Sequence, residues 1–313
     1  MLQPFGSGGN SQNAYFPCRE VLKWGTGVAN AIAKMMPEID DEWEYLDELD
    51  DERPRDTKID EAKEVLMGEL FEQSPEQVYY GRQVEVLFER RFFHWIIARA
   101  LGELARSGAV SSTEMVLEGQ TRVRFYWSTR NRYWRRKARA ARRLILEYSK
   151  PSFCRGLGHH AETMFTAALA TVGFMPTSEN VRSYRGVEWV ETGHDLDRVF
   201  ERDKVAYGTE IKNSLDYIAR EELQIKLRMC KRFGIRPLFI MRMAPKSYIE
   251  EIRQAGGYSL IFEWQLYPHG NEEFARRVRE RFGLRVDCPR AIERGTVERF
   301  LRWHLKDLGK GGV

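Results

Sequence analysis

The chain has 313 residues, a formal net charge of +4 at pH 7, and 42% hydrophobic and 12% aromatic residues. This length predicts about two domains, and the apolar content is sufficient for packed cores, which excludes a wholly disordered chain. No run approaches the ~18 apolar residues of a membrane span, and the N-terminus lacks the charged and apolar regions of a signal peptide. We therefore expect a cytoplasmic protein without a membrane partner.

Residues 1–57 are predicted to form a partly disordered, acidic segment. Residues 1–14 are rich in Gly, Ser, Asn and Gln, a composition typical of a mobile tail. Between Glu38 and Glu61, thirteen acidic residues stand against three basic ones. Such a run is usually a solvated loop. The alternative is a segment that competes with nucleic acid for a basic groove or docks on a basic partner.

Residues 58–150 are predicted to form a mainly helical domain. Apolar residues recur at helical spacing from Ile59 to Glu72 and again from about Gln77 to Ser107. The second stretch is long enough for two helices, with a break at Gly81 or at Arg90–Arg91. Helices are therefore expected to fill the first half of this domain.

A β-hairpin is predicted to follow these helices. A turn at 118–120 precedes a strand from Thr121 to Trp127, in which basic and apolar residues alternate. Helices followed by a basic hairpin resemble a winged-helix module, which implies DNA binding. A helical subdomain with a supporting hairpin explains the same pattern equally well.

A one-sided basic stretch continues from the hairpin. From Gln120 to Leu146 the sequence has ten Lys or Arg residues and no acid. Basic side chains that neutralise phosphates release counterions and bind nucleic acid without reading its sequence, and neighbouring aromatic rings can stack on bases. The alternative is a solvated face. The candidate nucleic-acid-binding residues are Arg122, Arg124, Arg130, Arg132, Trp134, Arg135, Arg136, Lys137 and Arg139.

Residues 151–313 form the last predicted domain, and its first element is a helix. From Gly158 to Phe174 the apolar residues follow the i, i+3, i+4, i+7, i+8, i+11 spacing of a helix packed on a sheet. Gly173 supplies a stop signal. Glu162 flanks the apolar stripe and is the only acid on this helix.

Two strands joined by a polar turn are predicted between Gly193 and Asn213. Successive side chains of a strand point to opposite faces. The first strand is therefore expected to have two faces, with Asp195, Asp197 and Val199 on one and Leu196, Arg198 and Phe200 on the other.

The second strand is expected to place Glu210 and Lys212 on one face together with Ala206 and Gly208. Two acids and a lysine would then meet at one edge of a sheet, above small residues that leave room for something bulky. Carboxylates hold Mg²⁺, which polarises a phosphate and lowers the pKa of a bound water. A neighbouring ammonium can orient that water. The cluster therefore suits metal-assisted hydrolysis of a phosphodiester.

These residues resemble the PD-(D/E)xK nuclease superfamily, in which a helical Glu precedes an Asp on one strand and a Glu-x-Lys on the next. Here the matching residues are Glu162, Asp197 and Glu210-Ile211-Lys212. The resemblance implies an α/β (α+β) fold, with a restriction-endonuclease-like αβββαβ core around a mixed central sheet in residues 151–313. An isolated Glu-x-Lys carries little weight, because Glu61-Ala62-Lys63 also matches it.

The resemblance also implies a role for each residue. The implied metal ligands, for Mg²⁺ with Mn²⁺ as an alternative, are Glu162, Asp197, Glu210 and Ile211. The implied catalytic residues are Glu162, Asp197, Glu210, Lys212 and Asp195. Asp197 is preferred over Asp195 as the ligand, because its spacing to Glu210 is close to that of the resolvase-like members, and Asp195 stays the alternative.

The function that follows is a Mg²⁺-dependent DNA endonuclease in restriction, repair or branched-DNA processing. Its partner would be duplex or branched DNA, which implies association with the nucleoid. The same interpretation allows for a homodimer. The alternative is a catalytically inactive protein that keeps the nuclease fold to bind DNA. Clustered acids favour the enzyme, because like charges are costly to hold together without a use. A surface hairpin with merely solvated charges is the remaining explanation.

Overall fold

The computed structural model describes residues 57–117 and 122–308. The acidic segment predicted for residues 1–57 lies outside them except for Thr57, as does the turn predicted at 118–120. The described chain combines helices with antiparallel and mixed sheets, which confirms the α+β class. Within this part of the chain, no helix is long and apolar enough to cross a membrane.

The N-terminal part consists of helices packed on a small antiparallel sheet. Its helices are α1 (Thr57–Leu66), which continues into a π-helical turn (Met67–Glu72), α2 (Gly81–Phe88), α3 (His94–Arg106) and α4 (Trp134–Tyr148). Its strands are β1 (Val78–Tyr80), β2 (Val110–Val116) and β3 (Arg122–Ser128), paired in the order β1-β3-β2. Strand β1 interrupts the helical stretch predicted from Gln77, and the break between α2 and α3 includes Arg90–Arg91.

The C-terminal part is built on a mixed five-stranded sheet. The strands of the C-terminal part are, in chain order, β4 (Met175–Val181), β5 (Ser183–Tyr184), β6 (Val187–Glu188), β7 (Leu196–Arg202), β8 (Val205–Lys212), β9 (Arg236–Met241), β10 (Tyr258–Ile261), β11 (Gln265–Leu266) and β12 (Val286–Asp287). Strands β5 and β6 form a separate pair, as do β11 and β12. Strands β4, β7 and β8 run antiparallel, whereas β8, β9 and β10 run parallel. The order in this sheet is β10-β9-β8-β7-β4.

Helices cover both faces of this sheet. The helices of the C-terminal part are α5 (Pro151–Thr171), α6 (Arg220–Phe233), α7 (Lys246–Gln254), α8 (Glu272–Phe282) and α9 (Arg294–Leu308). Helix α8 packs instead in a cluster with the N-terminal part. Helices α5 and α9 share a hydrophobic cluster with Tyr207 and Ile211 of β8. Helices α6 and α7 share another with Phe239 and Met241 of β9. Strand β8 therefore lies in the middle of the layers, where its polar side chains are enclosed.

The apolar stripe predicted on α5 is confirmed. Its six members are all at most 9% exposed, namely Ala161, Met164, Phe165, Ala168, Leu169 and Val172. The helix begins at Pro151, earlier than the stripe, because proline has the backbone angle of a first helical turn and needs no donor there. Gly173, at φ +82°, follows its end.

The alternation predicted for β7 is wrong at Leu196. This side chain packs in the same cluster as Val199, against α6, and not with Phe200. Pairing between β7 and β8 stops at Arg198↔Thr209, while β7 continues to pair with β4 as far as Leu196. The register of β4 against β7 also shifts between Pro176 and Ser178, so the regular alternation of faces does not extend to Leu196.

The open space predicted above Ala206 and Gly208 is also absent from the described structure. A Cβ on Gly208 would lie 2.8 Å from Sγ of Cys230 and 2.8 Å from Cδ1 of Leu196. Glycine is therefore used for the close approach of α6 to the sheet, and not to admit a ligand.

The N-terminal and C-terminal parts are joined through buried contacts. Trp127 belongs to one hydrophobic cluster with Phe274 and Phe282. Arg242, directly after β9, donates two hydrogen bonds of 2.6 Å to the carboxylate of Glu89, and both side chains are buried. The division at residue 150 stays a prediction, and a continuous core crosses it.

Replacing Gly257 with Ala should destabilise the protein by about 1–3 kcal/mol, as expected for an overpacked site. The new Cβ would lie against the carbonyl oxygen of Pro237 and 2.5 Å from its Cγ. Gly158→Ala is the matched control, because nothing lies within 4 Å of that position and alanine favours a helix interior. Urea denaturation midpoints measure both. Equal midpoints for the two variants would show that the Gly257 contact is not tight.

Candidate active site

Asp197 lies where the ladder between β7 and β8 ends. Its Oδ2 accepts a hydrogen bond of 2.7 Å from the N–H of Ile211, so a side-chain oxygen satisfies this donor on β8. Burial and the neighbouring carboxylate of Glu210 raise the pKa of Asp197 to about 8. Two acids therefore meet in one desolvated place, as the sequence predicted.

Glu210 is held between two ammonium groups. Its side chain is 3% exposed, with Oε1 3.2 Å from Nζ of Lys212 and Oε2 2.6 Å from Nζ of Lys226. Burial alone would lower the pKa of each lysine, but the neighbouring carboxylates, chiefly Glu210, raise it overall. Both ammonium groups therefore stay charged at neutral pH.

Helix α6 supplies two charged residues to this cluster. Glu222 accepts a hydrogen bond of 2.9 Å from Nζ of Lys212. Burial raises the pKa of Glu222, but Lys212 outweighs it and the pKa is lowered overall. One turn further on, Lys226 also donates to the main-chain carbonyl of Asp195, whose Oδ1 lies 4.0 Å from Nζ. The helix therefore closes one side of the carboxylate pair.

Sequence reasoning missed Glu222 and Lys226. A signal was present, because Lys226 interrupts the apolar stripe of α6 between Leu223 and Met229, both fully buried. A lysine at such a position is rarely buried without a partner. It would have pointed to an acid on the sheet beneath the helix.

Glu162 lies at the margin of the cluster. It is half-buried on α5, and burial raises its pKa, against the lowering effect of Arg198. The carboxylate of Glu210 makes a smaller contribution that also raises the pKa of Glu162. Among residues 57–117 and 122–308, no three His, Cys, Asp or Glu side chains approach closely enough to hold a metal ion.

The donor types nevertheless suit a divalent cation. Asp197 and Glu210 are hard oxygen ligands of the kind that Mg²⁺ prefers. Burial and the neighbouring Glu210 carboxylate raise the pKa of Asp197, and a bound cation would oppose both effects. Ile211 contributes its N–H to Asp197. In the structure, the ammonium groups of Lys212 and Lys226 contact the two carboxylate oxygens of Glu210.

The basic residues predicted to bind nucleic acid fall into two groups. On β3, Arg122 and Arg124 lie 3.5 and 3.4 Å from the carboxylate of Glu114 on β2. Around α4, the second group is exposed and makes no ion pair with any residue that the structure describes. Its members are Arg130, Arg132, Arg135, Arg136 and Arg139. This second group carries the uncompensated charge.

Two further residues of the predicted basic surface are engaged by the protein itself. Trp134 is half-buried and stacks on Trp127, with ring centroids 4.1 Å apart and planes at 13°. The guanidinium of Arg135 lies 4.8 Å from the Trp134 ring. Lys137 is half-buried, and its carbonyl accepts a hydrogen bond from Arg281.

Comparison of the chain with protein-family models, with curated proteins and with solved structures gives no significant match. The functional interpretation therefore depends on two features of the molecule. They are the carboxylate and lysine cluster at the end of β7 and β8, and the exposed arginines around α4.

Asp197→Asn should remove one contribution that makes the metal-free protein less stable as pH rises from about 4 to about 8. The carboxyl has a pKa of about 8 in the folded protein and about 3.9 when unfolded. Folding therefore favours its protonated form, and that stabilisation is complete below about pH 4 and lost as pH rises through about 8. Asparagine can still accept the Ile211 hydrogen bond.

Urea midpoints measured in EDTA across this pH range test the expectation. Parallel pH dependence of the wild-type protein and the Asp197→Asn variant would show that this carboxyl does not take up a proton on folding.

Proposed function

We propose that this protein is a Mg²⁺-dependent DNA endonuclease of the PD-(D/E)xK superfamily. The observation that carries the proposal is the convergence of Asp197, Glu210 and Lys212 where β7 and β8 separate. Restriction, repair and branched-DNA processing all fit this chemistry. Nucleoid association and a homodimer are part of the same proposal.

The order of elements supports the superfamily assignment. Helix α5 is followed by the antiparallel strands β4, β7 and β8, then by α6 and the parallel strand β9. This is the αβββαβ order that the superfamily resemblance implies, on a mixed sheet. Proteins with the same architecture can have different activities. The proposed catalytic activity therefore depends on the side chains of the cluster at the end of β7 and β8.

Each residue of the cluster has a distinct task in the proposed reaction. Asp197 and Glu210 would hold the metal, with Glu162 and Asp195 beside them and Ile211 fixing Asp197 through its N–H. A bound Mg²⁺ supplies Lewis-acid activation of the phosphate and of a water.

Lys212 is suited to act as a cation and not as a base. Glu210 and Glu222 outweigh the effect of burial and raise its pKa, so the ammonium form persists at neutral pH. It can therefore donate to a phosphate oxygen or orient the attacking water. Lys226 balances the charge of Glu210 and lowers the repulsion that this carboxylate would exert on an approaching phosphate.

The N-terminal part supports a DNA-binding role. Helices α1, α2 and α3 precede the hairpin β2–β3, and β1 completes the sheet in the order β1-β3-β2, which is the arrangement of a winged helix. On α3, Arg99 lies 3.4 Å from Glu103, so an acid on the same helix offsets its charge. The exposed arginines around α4 are the better candidates for phosphate contacts.

A catalytically inactive DNA-binding protein is the second candidate function. It is favoured by the ion pairs at Glu210, in which Lys212 and Lys226 each contact one carboxylate oxygen. A carboxylate engaged in this way resembles a structural ion pair as much as a metal ligand. Cleavage assays decide between the two candidates.

Glu210→Gln should lower DNA cleavage by about 10²-fold or more, because a neutral amide is a poor Mg²⁺ ligand. DNA affinity should change by less than about twofold, since binding is assigned to α4. Glu251→Gln is the matched control, because that carboxylate lies on α7 and contacts Gln224 and Arg220.

Cleavage is measured on duplex, single-stranded and branched DNA with Mg²⁺ or Mn²⁺. A wild-type protein that binds these substrates and cuts none of them would reject the endonuclease and leave the binding protein.

Replacing Arg135, Arg136 and Arg139 together with Ala should weaken DNA binding and flatten its salt dependence. Each lost phosphate contact removes roughly 0.9 from the slope of log affinity against log salt. The matched control removes three exposed arginines from other helices, each paired with a glutamate on its own helix, namely Arg253, Arg276 and Arg294. Titrations at several salt concentrations measure both, and equal slopes for the two triple variants would place the DNA elsewhere.

A further inference from the structure

Tyr133 is the most exposed large apolar side chain in the described part of the chain. Its exposed fraction is 78%, and it immediately precedes α4. Exposed single apolar residues are common, but a whole aromatic ring in water is a strong candidate for contact with a partner. The neighbourhood of this ring indicates which partner it suits.

The backbone that carries Tyr133 is fixed by Asn131. Tyr133 donates its N–H to Oδ1 of Asn131 at 3.1 Å. The amide of Asn131, which is 7% exposed, donates to the carbonyls of Glu76 and Gln77 at 2.8 and 3.1 Å. Because the loop is tied to the body of the protein, a partner that contacts the ring need not order the backbone first.

The neighbouring ring is not equally available. Trp134 is half-buried, stacks on Trp127 at 4.1 Å and lies under the guanidinium of Arg135. Tyr133 has no ring partner among the described residues. The sequence predicted Trp134 as a nucleic-acid contact, whereas in the structure Tyr133 is the exposed ring.

Four arginines flank Tyr133 in the sequence of its own loop and helix. Arg130 and Arg132 precede Tyr133, and Arg135 and Arg136 follow it. All four are exposed, and none forms an ion pair with a residue in 57–117 or 122–308. A flat apolar face among uncompensated guanidinium groups is complementary to a nucleotide, which offers a base for stacking and phosphates for the charges.

An intact duplex does not offer such a base. Each base inside B-form DNA is covered on both faces by its neighbours, so a protein ring can stack only where a base is terminal, unpaired or extruded. We propose that Tyr133 is a stacking platform for an unstacked base, and that the substrates are DNAs which contain one, such as single strands, ends or branch points. This inference rests on the proposed role of α4 in DNA binding.

Fluorescence of 2-aminopurine tests the platform directly. The base is placed at an unpaired position in one oligonucleotide and in the middle of a duplex in another, and EDTA prevents cleavage. Wild-type protein should quench the unpaired probe and bind that DNA about tenfold more tightly than the duplex. Tyr133→Leu should lose this preference and the quenching, with an unchanged salt slope.

Two further variants separate the ring from other effects. Tyr133→Phe keeps the ring and should behave as wild type. Val190→Ala removes an equally exposed apolar side chain, 75% exposed, and should also behave as wild type. If Tyr133→Phe instead loses the preference, the hydroxyl and not the ring makes the contact, and the platform is rejected.

The remaining outcomes distinguish the platform from the function on which it rests. Equal quenching by wild type and Tyr133→Leu, with binding still weakened by the triple arginine variant, would reject the platform and keep the DNA-binding surface. Unchanged affinity in the triple arginine variant would reject both. Tighter binding by Tyr133→Leu would show that another part of the chain covers the ring, and would also reject the platform.

Discussion

A carboxylate withdrawn from water stays ionised only if positive charge lies beside it, and this requirement governs the centre of the molecule. Glu210 is almost fully buried on β8, and Lys212 on the same strand and Lys226 on α6 compensate it. The second ion pair crosses between layers, so it also fixes α6 on the sheet. Removing one partner of a buried pair typically costs about 3–5 kcal/mol, because the other charge is left uncompensated. The fold and the proposed chemistry therefore depend on the same three side chains.

Burial and charge act against each other in this cluster. The carboxylates raise the pKa of both lysines against the effect of burial, so the two side chains stay in the ammonium form. Burial and, to a smaller extent, the carboxylate of Glu210 raise the pKa of Asp197 to about 8, so this acid responds to pH near neutrality. A buried acid with a shifted pKa, beside a second carboxylate and a lysine, is typical of catalytic sites, which is why the endonuclease is the leading proposal.

Local patterns were sufficient for much of this fold. The stripe on α5 and the meeting of Asp197, Glu210 and Lys212 follow from helical and strand periodicity, and both are present. Periodicity failed where neighbouring elements decide the outcome. Leu196 packs with Val199 against α6 in a region where the pairing of β7 is irregular, and Gly208 allows the close approach of α6 and leaves no space for a ligand. Lys226 was missed because its partner is distant in sequence.

The hydrophobic cluster around Trp127 has a consequence for biosynthesis. Phe274, Phe282 and Val286 complete a core in which eleven of the twenty buried members lie before residue 146. A growing chain therefore exposes the apolar surface of its N-terminal part until residues 274–286 have left the ribosome. Cotranslational folding of that part stays incomplete until then, and chaperones protect such exposed surfaces from aggregation.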